Sequence, residues 1–371
     1  MHVVALNWRD LKNPLGGGAE VHMEEILRHL GHRGHRCTLL TSRFPGSPAT
    51  EEADGYRIVR GGNELDFNLA VPFLYRRLAA ADPAAVVLDD INKVPFFSPL
   101  WTRVPVLAVI PHLMGSTVFQ EVNPVLAAAV WAAERPVRLV YRRCRIEVIS
   151  ESTRDDLVVR GFAADRIHVI HCGIDRTRYR ADATVAKTEH PSLVYVGRIK
   201  RYKAVDHAIR ALVTIRQRFP QSTLTIVGDG DGMAGLRHLT TGLGLDGAVR
   251  FAGFVPHEEK VRLLQTAHAV INPSVKEGWG LTNVEANACG TVCVAADAPG
   301  LRDSVKDGVT GLLYPWGDVA ALAERVTRLL ADPSLRRRME AGALEWAASL
   351  TWERCGDETL ALVERIARER R

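Results

Sequence analysis

The chain has 371 residues, 47% of them hydrophobic and 25% charged, with a formal net charge of +5. That length suits roughly two domains, each able to bury its own core, and the composition is that of a soluble globular protein. The mild positive charge suits an anionic substrate or a membrane surface, and no nucleic-acid partner is expected.

The six cysteines, Cys37, Cys144, Cys172, Cys289, Cys293 and Cys355, form no CxxC pair, and none joins histidines at zinc-ligand spacing. They read as reduced core residues, and a cytoplasmic protein is expected. The chain opens directly on the apolar run His2-Val3-Val4-Ala5-Leu6, without the basic start and long apolar core of a signal peptide. No apolar stretch reaches the ~18 residues a membrane-spanning helix needs.

Short apolar strands alternate with amphipathic helices along the whole chain. In the first half the pattern predicts strands near 2–8, 37–42, 57–60, 86–89, 105–110, 145–149 and 167–170, with helices near 19–33, 72–81, 123–143 and 153–160. Apolar strands alternating with helices imply parallel sheets buried on both faces. The pattern breaks over 171–191 and restarts at Ser192-Leu193-Val194-Tyr195-Val196. Further strands are expected near 223–227, 249–252, 269–272 and 292–295. Helices are expected near 204–218, 233–242, 257–266, 282–289, 318–331 and 333–347. The architecture is therefore α/β, with two doubly wound, Rossmann-like domains, 1–175 and 176–351. Such domains present ligands with the carboxyl ends of their strands, so two facing units create a cleft. Periodicity leaves open which domain receives the last helix, about 352–370.

Three segments carry chemistry. In Glu277-Gly278-Trp279-Gly280-Leu281-Thr282-Asn283-Val284-Glu285, glycines lead from a strand into a helix whose first N–H groups form an anion site. Carboxylates beside an anion site repel phosphate but accept from hydroxyls, so Glu277 and Glu285 imply a ligand with both phosphates and sugar rings. In Gly197-Arg198-Ile199-Lys200-Arg201-Tyr202-Lys203, four cations follow a strand end. Arg198 offers a fork and Lys203 a point charge to a diphosphate. Gly16-Gly17-Gly18 opens the first helix but lacks the GxGxxG spacing of a dinucleotide fold, which argues against an NAD oxidoreductase.

Other segments have blander readings. Asp229-Gly230-Asp231 is a DxD triplet inside a glycine-rich turn, and no obligatory metal or other cofactor is expected there. Asp89-Asp90 ends a strand, and capping or solvation accounts for it as well as acceptor binding does. Ser152 and Asp155 read as a capping-box pair starting a helix. The stretch from Trp131 to Arg145, with five arginines, suits either a plain amphipathic helix or contact with an anionic membrane.

Together, the Glu-x7-Glu pattern, the Gly-Arg-x4-Lys loop and the early glycine loop resemble the retaining, GT-B-fold group 1 (family four) glycosyltransferases of bacteria. Val169-Ile170-His171-Cys172-Gly173-Ile174-Asp175, Val227-Gly228-Asp229-Gly230, Phe251-Ala252-Gly253-Phe254-Val255 and Ala288-Cys289-Gly290-Thr291-Val292 are similar to further segments of that family. The first of these has His-Cys where Pro-Asn is usual. The resemblance implies transfer of a sugar from a nucleotide-diphosphate donor, UDP before GDP, to a saccharide, lipid-linked or small-molecule acceptor. It implies that Arg198 and Lys203 hold the diphosphate and Glu285 the ribose. Glu277 and His112 would meet the donor sugar, and Val255 the base. Gly17, Gly18, Gly197, Gly278, Trp279, Gly280, Leu281 and Thr282 would line the donor site. A sugar-nucleotide epimerase of the same fold and a non-catalytic nucleotide-sugar binding subunit are the alternatives, to be separated by product analysis.

Overall fold

The computed structural model describes residues 1–120 and 123–369. The chain divides into two compact units, one formed by Met1–Gly173 with the segment from Trp352 onward, the other by Ile174–Thr351. Each contains a parallel sheet covered by helices, because runs such as Val3-Val4-Ala5-Leu6 and Val292-Cys293-Val294-Ala295-Ala296 are fully buried and need cover on both faces.

In the first unit the chain runs β1 (His2–Leu6), α1 (Gly18–His32), β2 (Arg36–Thr41), β3 (Thr50–Ala53), β4 (Tyr56–Arg60), α2 (Phe67–Ala81), β5 (Val86–Asp90), β6 (Val106–Val109), α3 (Pro124–Glu134), α4 (Val137–Tyr141), β7 (Arg145–Val148), α5 (Glu151–Val159) and β8 (Ile167–Val169). The strand order is β3-β4-β2-β1-β5-β6-β7-β8. Only β3, an edge strand absent from the sequence expectation, pairs antiparallel. It has no apolar run to announce it: Thr50-Glu51-Glu52-Ala53 is polar, as suits an exposed edge.

Two local expectations need correction. The single helix expected over 123–143 is two, broken at Pro136, whose missing N–H and ring oppose a continuous helix. Arg135 lies 4.0 Å over the Trp131 ring, while Val137 and Tyr141 turn inward and Leu139 stays exposed. Helix α5 begins two residues earlier than its capping pair suggested: Ser150 is the N-cap, its Oγ accepting from Thr153 N at 3.2 Å. Thr153 Oγ1 in turn donates to Pro111 O, so packing against the end of β6 selects Ser150 over Ser152.

The terminal helix, Trp352–Arg368, packs on α1 and the first sheet; residues 370–371, included in the sequence expectation, lie outside the described residues. Gly356 permits the close crossing, since a Cβ there would meet His29 Cγ at 2.3 Å. Thr359 of this helix donates to Glu147 Oε2 at 3.0 Å inside the core, with His22 Nε2 3.6 Å from Oε1. Burial raises the Glu147 pKa to about 8 and lowers that of His22 to about 4.

The second unit runs β9 (Ser192–Val196), α6 (Val205–Arg218), β10 (Thr223–Val227), α7 (Met233–Gly242), β11 (Val249–Gly253), α8 (His257–Thr266), β12 (Ala269–Asn272), α9 (Leu281–Ala288), β13 (Cys293–Ala296), α10 (Leu301–Ser304), β14 (Gly311–Tyr314), α11 (Val319–Ala331) and α12 (Pro333–Ser349). Its six strands are parallel, in the order β11-β10-β9-β12-β13-β14. Both sheets reverse direction of growth beside their first strand, at β1/β5 and at β9/β12. At such a point neighbouring loops diverge and leave room for a ligand at the strands' carboxyl ends. Among the described residues no helix is long and apolar enough to cross a membrane.

Glu147 sets a pH dependence for the first unit. Its folded pKa lies above its unfolded value, so the folded state binds more protons and its stabilising share is lost as pH rises towards about 8. Above about 7.5, where His22 and the other histidines that burial holds below their usual pKa are neutral in both states, the stability of the first unit is expected to fall as pH rises through about 8 and then level. Urea denaturation across that range checks this, and Glu147→Gln should flatten the slope.

Candidate functional site

The switch point of the second sheet lies between β9 and β12, and the two strongest sequence segments are the loops that follow these strands. After β9 come Gly197 and Arg198, a short 3-10 turn at Arg201–Lys203, and then α6. After β12 come Glu277, Gly278, Trp279 and Gly280, and then α9. The structure joins the loops directly: Lys203 Nζ forms an ion pair with Glu277 Oε1, and Val275 N donates to Tyr202 O at 2.9 Å.

Both side chains of the pair are largely buried, at 15% and 17% exposure. Burial opposes the charge on Lys203, but Glu277 first, then the Tyr202 and Tyr195 hydroxyls, hold its pKa above the ordinary lysine value. Lys203 is therefore a standing cation at the floor of the loop. Ala204, immediately after it, adopts a left-handed conformation (φ 48°) that non-glycine residues rarely take, and this turns the chain into α6.

The Arg198 loop rests on the turn after β10. Gly197 N donates to Val227 O, Ile199 N to Asp229 O, and Gly232 N to Ile199 O. The backbones are so close that a Cβ on Gly228 would lie 2.0 Å from Gly197 O, and one on Gly230 2.2 Å from Ile199 O. The aspartates of the Asp229-Gly230-Asp231 triplet are occupied locally. Asp229 Oδ1 accepts from Gly230 N, and Asp231 Oδ2 pairs with Lys200 Nζ at 2.7 Å. Among the described residues no cluster of histidine, cysteine and acidic side chains has the arrangement of a metal site.

Gly280 is the N-cap of α9, in the left-handed region at φ 86°. Lacking a side chain, it cannot cap the helix; Asn283 N donates to Gly280 O at 2.9 Å, and the N–H groups of Leu281 and Thr282 ahead of it receive no side-chain cap. Beneath them runs a buried polar chain: Ser274 Oγ donates to Asn272, Asn272 Nδ2 to Asn283 Oδ1 at 3.1 Å, and Asn283 Nδ2 to Ser304 Oγ at 3.0 Å. These bonds fix the first turn of α9 to β12 and α10. Trp279 is buried, 6.4 Å from the Trp346 ring, and Thr282 Oγ1 donates to Val196 O at 3.5 Å. Arg198 is exposed, and its carbonyl accepts from Tyr195 Oη at 3.0 Å.

Glu285 lies one turn further along α9. Its Oε2 is 2.7 Å from Lys260 Nζ on α8, and Lys260 also donates to Tyr179 Oη at 2.9 Å. Burial first, then the charge of Glu285, raises the Tyr179 pKa. Sequence reasoning missed Lys260 and Tyr179: neither stands in a motif, and they are brought together from 81 positions apart. Val255 is partly buried just before α8, while neighbouring Phe254 is 94% exposed.

Gly17, Gly18 and His112 belong to the first unit. Gly17 caps α1, its N–H donating to Glu20 Oε2 at 2.7 Å, and His112 follows β6. Both lie at carboxyl ends of the sheet's strands. At the end of β5, Asp89 and Asp90 are fully buried, Asp89 accepting from Ser98 and from Tyr141 Oη at 2.6 Å.

Two family profiles match this chain in succession and together cover residues 16–346, Glycosyltransferase Family 4 over residues 16–178 and Glycosyl transferases group 1 over residues 177–346. The chain belongs to the group 1 glycosyltransferase family. Among curated relatives, a D-inositol 3-phosphate glycosyltransferase of Nocardia farcinica is 36% identical over 217 residues, covering 55% of this chain and 48% of its own. A glycogen synthase of Mycobacterium tuberculosis is 35% identical over 206 residues, covering 55% and 50%. The chain thus spans about half the length of the curated relatives it matches. Its fold is the GT-B fold of a sucrose-phosphate synthase from Thermosynechococcus elongatus (TM-score 0.84, 21% identity, 98% of each chain). Anabaena HepE, solved with UDP and glucose, is also similar (TM-score 0.78, 18% identity, 98% of this chain and 100% of that one).

The Lys203–Glu277 pair yields a stability prediction. Lys203→Met should lower the stability of the second unit by about 1–3 kcal/mol, because it strands a largely buried carboxylate. Adding Glu277→Gln should restore part of that loss in chemical denaturation.

Proposed function

We propose that this protein transfers a sugar from a nucleotide-diphosphate donor, UDP-sugar in the first instance, to an acceptor hydroxyl with retention of anomeric configuration. The observation that carries the reading is the standing Lys203 cation, paired with Glu277 across the switch point and next to the uncapped start of α9. A diphosphate competes with Glu277 for Lys203, and its oxygens also meet the open N–H groups of α9 and the Arg198 fork. Glu277, released from Lys203, accepts from hydroxyls of the donor sugar, and Glu285 accepts from the ribose. Val255 and the loop around it are assigned to the base, and His112 to the donor sugar.

In the reaction, the acceptor oxygen attacks the anomeric carbon from the face that the nucleoside diphosphate leaves. The bond from that carbon to the phosphate oxygen breaks, its electron pair stays on the diphosphate, and a phosphate oxygen takes the acceptor proton. Lys203, Arg198 and the α9 terminus stabilise the growing charge. Because protein cations fill this role, and Asp229 and Asp231 are engaged elsewhere, the reaction is proposed to need no metal. HepE was solved with UDP-glucose, which supports uridine as the base. The acceptor class is a saccharide, a lipid-linked saccharide or a small molecule.

A thermal-shift panel of UDP, GDP and ADP, with and without magnesium, tests the donor site. At 100 times Kd a ligand adds about 2.7 kcal/mol, a rise of several degrees for a domain this size. UDP should give that rise irrespective of magnesium, and Arg198→Ala should abolish most of it. No shift with any nucleotide would sink the donor assignment.

The stereochemical claim has its own test. Proton NMR of the first-formed product from a UDP-sugar should show the donor's anomeric configuration, and an inverted product would rule out the front-face route.

A further inference from the structure

A glutamate on the second turn of a helix has three side-chain torsions, and ordering them for a diol opposes binding. Glu285 is not left to find its own conformation. Its Oε2 is 2.7 Å from Lys260 Nζ, and Lys260 donates to Tyr179 Oη at 2.9 Å. The three groups form a chain through Lys260, largely screened from solvent, with side-chain exposures of 22% for Lys260 and 13% for Glu285.

The members of this chain are themselves held. Lys260 lies 5.0 Å from the centre of the Tyr179 ring, a cation over an aromatic face, and His257 meets the same ring edge-on at 5.0 Å. Gln265 Nε2, on the same helix, donates to Arg180 O at 2.8 Å, which clamps the Tyr179 segment along α8. Helix α8 also begins two residues after Val255. One rigid element therefore carries both the loop assigned to the base and the cation that fixes the carboxylate assigned to the ribose.

We propose that Lys260 and Tyr179 are positioning residues of the donor site, which lock the Glu285 carboxylate by Oε2 and so preset its other oxygen for the ribose hydroxyls of a nucleoside diphosphate. Neither residue touches the reacting atoms. Their contribution is to nucleotide affinity and to discrimination of ribose from deoxyribose. A glutamate held only by its backbone would pay the ordering entropy at each binding event; here folding has ordered it in advance. This inference rests on the ribose role proposed for Glu285.

The test measures the affinities of the full-length protein for UDP and for 2′,3′-dideoxy-UDP by calorimetry. Hydrogen bonds to a charged acceptor predict that wild type prefers UDP by about 10–100-fold, and that Glu285→Gln loses most of this preference. Lys260→Met should weaken UDP binding about tenfold while leaving dideoxy-UDP binding nearly unchanged, so that the preference collapses. Lys260→Arg should restore most of it. Tyr179→Phe, which removes one hydroxyl and keeps the ring, should reduce the preference about threefold and provides the test if Lys260→Met does not fold. A preference kept in full by Lys260→Met and Tyr179→Phe, with Glu285→Gln abolishing it, overturns this inference alone. No preference in wild type overturns the ribose role of Glu285 and the inference with it.

Discussion

A cation taken out of water needs a carboxylate to meet it, and the second unit is arranged around one such meeting, Lys203 with Glu277. The two residues come from loops on neighbouring strands, β9 and β12, on either side of the point where the sheet reverses its direction of growth. A parallel sheet brings these loops together as a consequence of its connectivity. The ion pair then sets the distance between them, and with it the place of Arg198 on one side and of the α9 terminus on the other.

Holding that geometry requires backbone to approach backbone. The Arg198 loop sits on the Gly228–Gly230 turn with no room for a Cβ at either glycine. On the other side, Gly300 lies against the carbonyl of Glu277, where a Cβ would come within 2.3 Å. The asparagine chain through Asn272 and Asn283 ties the start of α9 to the strand below it. These contacts are far from equal in energy, but they act in one direction. They leave the charged groups few conformations, the condition for electrostatic stabilisation without reorganisation.

The first unit follows a different rule at its centre. Asp89, Asp90 and Glu147 are fully buried at the carboxyl ends of β5 and β7, and burial raises the pKa of each. Glu147 and His22 face the helix that returns from Trp352, so the last helix of the chain closes the first unit over a polar core. Completion of that unit therefore depends on residues about two hundred positions downstream of its own strands, as Thr359 meeting Glu147 illustrates.

The alternation of apolar strands with amphipathic helices determined the α/β class by itself, because a strand buried on both faces leaves a continuous apolar run that any reader of the sequence meets. Local motifs were legible for the same reason: Gly197 to Lys203 and Glu277 to Glu285 each place their groups within one turn or loop, where spacing along the chain is spacing in space. Spacing favoured Ser152 as a helix cap, with Asp155 three residues on, but Ser150 is as good an acceptor, and the seat of Thr153 on Pro111 decided for it. It did not announce β3, whose polar residues pair only because β4 offers an edge. Nor did it reveal that Lys203 meets Glu277, or that Lys260 bridges Glu285 and Tyr179. Those partners are separated by tens of residues, and only the folding of α8 against the segment carrying Tyr179, and of β9 against β12, brings their charges within reach of one another.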